Sequence, residues 1–221
     1  MTSHHNAQVA LVNMPFSYSK YPSIQLGTLS ALLKSQGIPV DCHHLNVRFA
    51  HKIGVPLYES ICEKRALFGE WLFSYLLFRD NPKRSEYPRV FKPVFEQLAR
   101  ESGHPMSFFE DMATRTAPQF LTWAMTAIDW GRYKLVGFTS TFDQNVASLT
   151  MAKLIKDLYP DVRIVFGGAN FDGEMGLEYF RAFPFIDHVV VGEGEVTFPA
   201  LVKEILSGQR GGTLKGVTYR D

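Results

Sequence analysis

The sequence has few cysteines, and their number excludes two kinds of protein. Cys42 and Cys62 are the only two among 221 residues. Two thiols cannot frame a disulfide-rich secreted domain, and they cannot supply a four-cysteine metal cluster. We therefore expect both to be small, partly buried side chains in a protein of the reducing cytoplasm.

Long hydrophobic runs and an excess of charge of either sign are also lacking. No apolar stretch approaches the roughly 20 residues of a membrane span, and the first residues lack the basic region and cleavage site of a signal peptide. Lys and Arg number 23 against 22 Asp and Glu, a net charge of +1. This balance leaves no basic footprint for nucleic acid and gives no reason to expect a membrane partner.

What the sequence does contain is an alternation of apolar strands and amphipathic helices. A strand over residues 8–13 precedes a helix with Ser23 as N-cap and Gly37 as its left-handed C-terminal residue, and "IPVDCHHL" follows as a second strand. Three more strands, "YKLVGFTS", "VRIVFGG" and "IDHVVVGEGE", alternate with helices, and Thr197 is the predicted N-cap of the last one. The pattern predicts an α/β fold with a Rossmann-like, doubly wound, mostly parallel five-stranded sheet.

A helical, aromatic-rich segment interrupts this alternation over about residues 47–132. Its apolar runs, such as "GEWLFSYLLF", are short and are separated by turn signals such as "RDNPKRSEYPR". This favours a helical insertion packed on the parent domain over an amphipathic segment that docks on a membrane.

The familiar nucleotide and hydrolase motifs are missing. "NMPFSYS" stands after the first strand, where a dinucleotide-binding domain has G-x-G-x-x-G, and the sequence has no P-loop. Ser140 lies outside any G-x-S-x-G elbow, and the seven histidines are scattered. We therefore predict no catalytic residue in this chain.

The residues that we expect to bind a ligand follow the strands, because doubly wound sheets bind ligands beyond the carboxyl ends of their strands. These loops carry hydroxyls, amides and carboxylates that donate or accept hydrogen bonds, and glycines that let a bulky ligand approach the backbone. Such a neutral polar rim suits a large ligand edged with amides. The predicted set is Asn13, Pro15, Phe16, Thr139, Ser140, Thr141, Phe142, Gln144, Asn145, Gly167, Gly168, Ala169, Asn170, Phe171, Gly192, Glu193, Gly194 and Glu195.

The loops also resemble a known family. The run from "VGFTSTFDQN" through "VFGGANFDG" to "VVVGEGEVTFPALV", with "LVNMPF" and the helical segment before it, is similar to the cobalamin-binding domain of cobalamin-dependent radical SAM enzymes. The closest branch matures ribosomally made peptides. The resemblance covers nearly the whole chain as one domain, 1–221. It implies cobalamin bound with its nucleotide tail among the three later loops and the corrin over residues 13–16.

The resemblance also implies a partner. In the family this domain precedes a radical SAM barrel, whose C-x-x-x-C-x-x-C motif holds a [4Fe-4S] cluster and which binds S-adenosylmethionine. Cys42 and Cys62 cannot form that motif, and residues 208–221 resemble the lead-in to the barrel. We therefore expect the radical SAM domain, in the same full-length chain or a separate subunit, and a peptide substrate as partners. On its own the chain is expected to bind cobalamin without turnover.

The lower face of the cobalt is a separate question. Many cobalamin domains carry D-x-H-x-x-G after the first strand, and the histidine ligates cobalt. Here that loop has no histidine, while Asp41, His43 and Asn46 form a D-x-H-x-x-N pattern after the second strand. We expect base-off cobalamin without a histidine ligand, with His43 as the lesser alternative and packing at the strand end as its ordinary role.

Two other functions stay open on the sequence alone. The chain is a stand-alone cobalamin carrier or sensor if no cysteine triplet follows it in the gene. It is a Rossmann-like protein-interaction domain if it binds no cobalamin. The prediction adopted here is the cobalamin-binding module of a radical SAM methyltransferase that acts on a peptide natural-product precursor.

Overall fold

The computed structural model describes residues 7–64, 66–212 and 214–220. Within these residues a single sheet contains six strands in the order β2-β1-β3-β4-β5-β6. The strands are β1 (Val9–Asn13), β2 (Val40–His44), β3 (Leu135–Thr139), β4 (Arg163–Gly167), β5 (His188–Val190) and β6 (Val217–Tyr219).

The first five strands are parallel, and β6 pairs antiparallel with β5. This confirms the predicted α/β class and the mostly parallel sheet, but the predicted count of five strands was wrong. The five predicted strands did not include residues 217–219, a short segment without an apolar run. Backbone pairing with β5, such as Val190 with Val217, nevertheless adds it to the edge.

Outside the segment between β2 and β3, four helices cover the two faces of the sheet. They are α1 (Ile24–Ser35), α9 (Asn145–Leu158), α10 (Gly173–Ala182) and α11 (Gly194–Leu206). The helices α1 and α11 pack with Leu11, Val165 and Val190 on one face, whereas α9 and α10 pack on the other. The strand order reverses between β1 and β3, and this is where such sheets bind ligands.

The caps predicted from the sequence are found at α1 but not at α11. The Ser23 side chain accepts a hydrogen bond from the Leu26 N–H (3.3 Å), and Gly37 follows α1 with φ +75°. The prediction of Thr197 as the N-cap of the last helix was wrong, because α11 begins at Gly194 and its N-cap is Glu193. An extended Glu193 after the turn at Gly192 lets the helix start four residues earlier than expected.

The segment between β2 and β3 folds into seven helices within the described residues. They are α2 (Leu45–Ile53), α3 (Val55–Glu63), α4 (Phe68–Leu77), α5 (Tyr87–Val90), α6 (Lys92–Ser102), α7 (Met106–Asp111) and α8 (Ala117–Ala127). We call residues 45–132 the insertion. Its aromatic side chains share one buried cluster with Val12, Phe138 and Phe166 of the sheet, on the face opposite α1 and α11. None of the described helices is both long enough and apolar enough to cross a membrane.

Candidate functional site

A well-formed cavity lies at the carboxyl edge of the sheet. It is a cavity of about 490 Å³ between α1 and α11, open at the ends of β3, β4 and β5. This volume falls in the range of small-molecule and cofactor sites. We call it the tail groove.

Half of the predicted ligand residues line this groove. They come from three loops that are far apart in the chain and adjacent in the sheet. They are Thr139, Thr141, Gly167, Gly168, Ala169, Gly192, Glu193, Gly194 and Glu195. The structure therefore brings together the hydroxyl, double-glycine and "GEGE" elements.

The floor and one wall of the groove were not predicted from the sequence. The missed residues come from the strands, from α1 and α11, and from the N-cap of α10. They are Leu11, Ile24, Gln25, Leu26, Thr28, Leu29, Gly137, Phe138, Val165, Phe166, Asp172, Val190 and Phe198. One signal was available, because a glycine inside a buried strand marks a close approach. A Cβ built on Gly137 would lie 3.1 Å from Leu11 Cδ2 and 3.4 Å from Phe198 Cζ, so this glycine keeps the floor low.

The groove is apolar at its base and polar at its mouth. Leu11, Leu26 and Val165 belong to the buried cluster beneath it. Near the mouth, the Thr139 Oγ1 atom is buried and has no hydrogen-bond partner in the described structure. The lining residues include carboxylates but no Lys, Arg or His. This chemistry suits a flat apolar group with neutral polar edges better than a phosphate-rich nucleotide.

Gly168 fixes the approach to the Thr139 hydroxyl. Its backbone has φ +95° and ψ 175°, a conformation that is essentially limited to glycine. A Cβ at this position would lie 2.7 Å from the Ser140 carbonyl oxygen and 3.1 Å from Thr139 Oγ1. The predicted role of the glycine pair, close approach to the backbone, has this geometric basis at Gly168.

The remaining predicted polar residues support the loops and do not line the groove. The Gln144 side chain is buried: its Nε2 donates to Asn13 Oδ1 (2.8 Å), and its Oε1 accepts from the Thr141 N–H (3.1 Å) and hydroxyl (3.0 Å). The Ser140 hydroxyl donates to Asn145 Oδ1 (2.7 Å). These side chains join the loops after β1 and β3 at the switch point.

Asn170 and Phe142 hold the outer end of the β3–α9 loop. The Asn170 amide donates to Asn145 Oδ1 (3.0 Å) and to the Phe142 carbonyl oxygen (2.8 Å). Phe142 has φ +51° and is 80% exposed, so its ring projects away from the protein.

The structure corrects the placement of three apolar residues. Phe16 was expected to face the corrin, but its ring is buried and stacks on Tyr58 with centroids 5.0 Å apart. Pro15 is buried beside it. Phe171 is fully buried and stacks on Phe166 (4.5 Å), on the face of the sheet opposite the groove. All three belong to the core because their loops turn these side chains inward.

His43 also lies away from the groove. It pairs in register with Val12, whose side chain belongs to the insertion-side core. The His43 Nε2 atom is 2.9 Å from the Tyr133 hydroxyl, and its ring packs against Trp130. Burial lowers the pKa of His43. These contacts are those of a residue that packs at the end of a strand, which is the ordinary alternative to a role of His43 as a cobalt ligand.

The comparisons with known proteins agree with this geometry. A family model described as "B12 binding domain" matches residues 91–202, or 112 of the 221 residues. A 59-residue stretch is 39% identical to the cobalamin-dependent radical SAM methyltransferase TokK of Streptomyces tokunonensis and covers 27% of this chain and 8% of that protein. An 89-residue stretch is 35% identical to the uncharacterized methyltransferase PH0819 of Pyrococcus horikoshii and covers 39% of this chain and 19% of that protein.

The chain thus corresponds to less than a fifth of each of these two relatives. The family match is longer, since it takes in just over half of the chain and contains β3, β4, β5 and the three loops that line the groove. On this match, the chain belongs to the B12-binding domain family.

Proposed function

We propose that this chain is the cobalamin-binding module of a radical SAM methyltransferase that acts on a peptide natural-product precursor. The observation that carries the proposal is the groove itself: an apolar slot between α1 and α11 whose mouth presents an unpaired buried hydroxyl, Thr139 Oγ1, beside Gly168. Because the chain belongs to the B12-binding family, this apolar slot with polar groups at its mouth supports the nucleotide tail of cobalamin as its ligand.

The residues present fit that cofactor. The aromatic base of the tail would lie on the apolar floor formed by Leu11, Gly137 and Val165. The Thr139 hydroxyl would gain the partner that it lacks, and the absence of a side chain at Gly168 would leave room beside it. An unpaired buried hydroxyl is costly, so a ligand atom that pairs with it is favoured.

The corrin ring would lie outside the groove, over the carboxyl edge of the sheet. Four large apolar side chains project from this edge: Tyr21 is 70% exposed, Ile24 79%, Phe142 80% and Val196 82%. Large exposed apolar side chains at one edge of a domain are typical of a surface that another molecule covers. We assign this rim to the corrin and to the radical SAM domain beyond it.

We divide the chemical tasks between this chain and its radical SAM partner domain. Cobalamin, when bound, supplies a cobalt centre able to carry a methyl group. The residues of this chain bind the tail, hold the loops and shield the cofactor from water. S-adenosylmethionine and the [4Fe-4S] cluster belong to the partner domain, since the sequence has only two cysteines. His43 packs against Trp130 and Tyr133 away from the groove, so base-off cobalamin without a histidine ligand stays the expectation.

The methyltransferase activity and the peptide substrate have weaker support than cobalamin binding. The TokK match, over 27% of this chain, supports methyl transfer with a radical SAM partner. The peptide substrate rests on the resemblance of the sequence to the branch that matures ribosomally made peptides.

The direct test is retention of cobalamin. The purified 221-residue chain is incubated with hydroxocobalamin, desalted, and examined by visible absorption before and after reduction. We expect about one corrinoid per chain with the spectrum of base-off cobalt. A folded chain that retains no corrinoid would refute the proposal and favour the protein-interaction function.

A further inference from the structure

The loop after β3, residues 140–144, has two features that its own hydrogen bonds do not compensate. Phe142 adopts φ +51°, a conformation that is unfavourable for a bulky residue. The N-cap of α9 is Gln144, yet its side chain makes no cap, because it turns inward to Thr141 and Asn13. The strain and the missing cap both require support from another part of the chain.

The insertion provides that support through Glu70 at the start of α4. Its two carboxylate oxygens accept hydrogen bonds from the Asn145 N–H (3.1 Å) and the Val146 N–H (2.6 Å). These are the first two N–H groups of α9, which in many doubly wound proteins bind an anionic ligand group. Here a carboxylate from residue 70 occupies the helix N-terminus in place of a ligand.

A second contact in the opposite direction strengthens this junction. Asp143 of the loop accepts a hydrogen bond from the Gly69 N–H at 3.3 Å, so each segment caps the helix of the other. A Cβ on Gly69 would lie 2.4 Å from Phe16 Cδ2 and 3.0 Å from Asp143 Cβ. The first turn of α4 therefore packs against the loops after both β1 and β3.

The polar contacts continue from Glu70 to the tail groove. Asn145, whose N–H is bound by Glu70, accepts the hydroxyl of Ser140 through its own side chain. The next residue back, Gln144, holds the N–H and hydroxyl of Thr141, and Thr141 lines the groove.

We propose that Glu70 is a positioning residue for the cobalamin site: together with the hydrogen bonds within the loop, the insertion fixes the β3–α9 loop in the conformation that presents Thr139 and Thr141 to the tail. This inference rests on the proposed function. It assigns the insertion a role in cofactor binding, although the insertion packs on the opposite face of the sheet from the groove.

The test compares Glu70→Gln with a matched control, Glu96→Gln. Glutamine keeps the shape of the side chain, but only one of its two terminal groups accepts a hydrogen bond. Glu96 also lies in the insertion, and its contact is an exposed ion pair with Lys92 (3.6 Å). Asp143→Asn is a third variant that leaves Glu70 in place and removes the charge of the side chain that makes the reciprocal contact.

Two measurements are made on the folded chains well below their unfolding temperatures. In the ligand-free proteins, hydrogen exchange at the Asn145 and Val146 amides should be at least tenfold faster in Glu70→Gln than in the wild type or Glu96→Gln. The dissociation constant for hydroxocobalamin should rise by about tenfold in Glu70→Gln, by about threefold in Asp143→Asn, and not in Glu96→Gln, because a loop that must be ordered on binding costs affinity.

The outcomes separate this inference from the proposed function. If the wild type binds no corrinoid, the proposed function fails, and the exchange rates still decide whether Glu70 fixes the loop. If the wild type binds while Glu70→Gln matches it within twofold in both measurements, the positioning role is refuted. Should Glu70→Gln not fold, Asp143→Asn takes its place, and an unchanged dissociation constant there overturns the inference.

Discussion

A single methyl group at Gly168 should damage both the fold and the groove. Alanine at this position must adopt φ +95° and ψ 175°, which costs about 1–3 kcal/mol in strain. Its Cβ would also lie 2.7 Å from the Ser140 carbonyl oxygen and 3.0 Å from the Ser140 nitrogen, and backbone atoms cannot move aside cheaply. We therefore expect Gly168→Ala to lower the free energy of unfolding by about 3 kcal/mol or more.

Thermal unfolding and cobalamin binding measure this effect together. For a chain of this length, about 3 kcal/mol corresponds to a fall in Tm of roughly 6–12 °C. The same shift of the loop displaces Thr139, so hydroxocobalamin should bind at least tenfold more weakly.

Gly27 is the matched control for Gly168. It lies in α1 with no atom within 4 Å of a built Cβ, so Gly27→Ala should raise stability by about 1 kcal/mol through helix propensity. A Gly168→Ala protein within 2 °C of the wild type, with unchanged affinity, would show that the described backbone at this turn is not required.

Three further predictions test other parts of the structure. Burial raises the pKa of Glu70 to about 7, against the hydrogen bonds from Val146 and Asn145, and the neighbouring Asp143 raises it further. The folded state therefore binds the proton more tightly than the unfolded state, and the free energy of unfolding should fall by up to about 3 kcal/mol as pH rises from about 4.5 to 7. Urea unfolding should show a weaker dependence of this free energy on pH in Glu70→Gln than in the wild type, and an equal dependence would contradict the assignment. Thr139→Val removes the unpaired hydroxyl, so stability should stay the same or rise by about 1 kcal/mol while the dissociation constant for hydroxocobalamin rises about fivefold or more in an absorption titration. His43→Ala should leave the spectrum and affinity of bound corrinoid unchanged and lower stability by about 2 kcal/mol, because it loses the Tyr133 hydrogen bond; loss of cobalamin in this variant alone would make His43 a ligand.

The sequence alone predicted those features that depend only on backbone topology, namely the strands and the loops that follow them. Apolar runs such as "VRIVFGG" identify buried parallel strands, and the residues after parallel strands must meet at one edge of the sheet. That the loops containing Thr139, Gly168 and Glu193 meet at the groove follows from this rule without any knowledge of side-chain contacts. The α/β class and five of the six strands follow in the same way.

The direction of each side chain in those loops could not be predicted. Phe16 and Phe171 occupy predicted positions but turn into the core, whereas Phe142 turns out because of its positive φ. Loop dihedral angles depend on contacts that are distant in sequence, such as the one between Glu70 and Val146. The wall formed by α1 was missed because an apolar stripe such as Leu26 and Leu29 looks the same whether it faces a core or a cofactor groove.

The position of the insertion in the chain explains how it reaches the site. It connects β2 to β3, and this crossover passes over β1, so it covers the face of the sheet beneath the switch point. A single helix could have connected β2 to β3 and covered this face of the sheet. The insertion instead has seven α-helices in the described residues, and it brings Gly69 and Glu70 to the loops that follow β1 and β3. The two faces of the sheet thus have different tasks: α1 and α11 form the groove, and the insertion holds the loops that complete its mouth. A substitution at Glu70 should therefore alter ligand binding on the other face, although Glu70 itself does not line the groove.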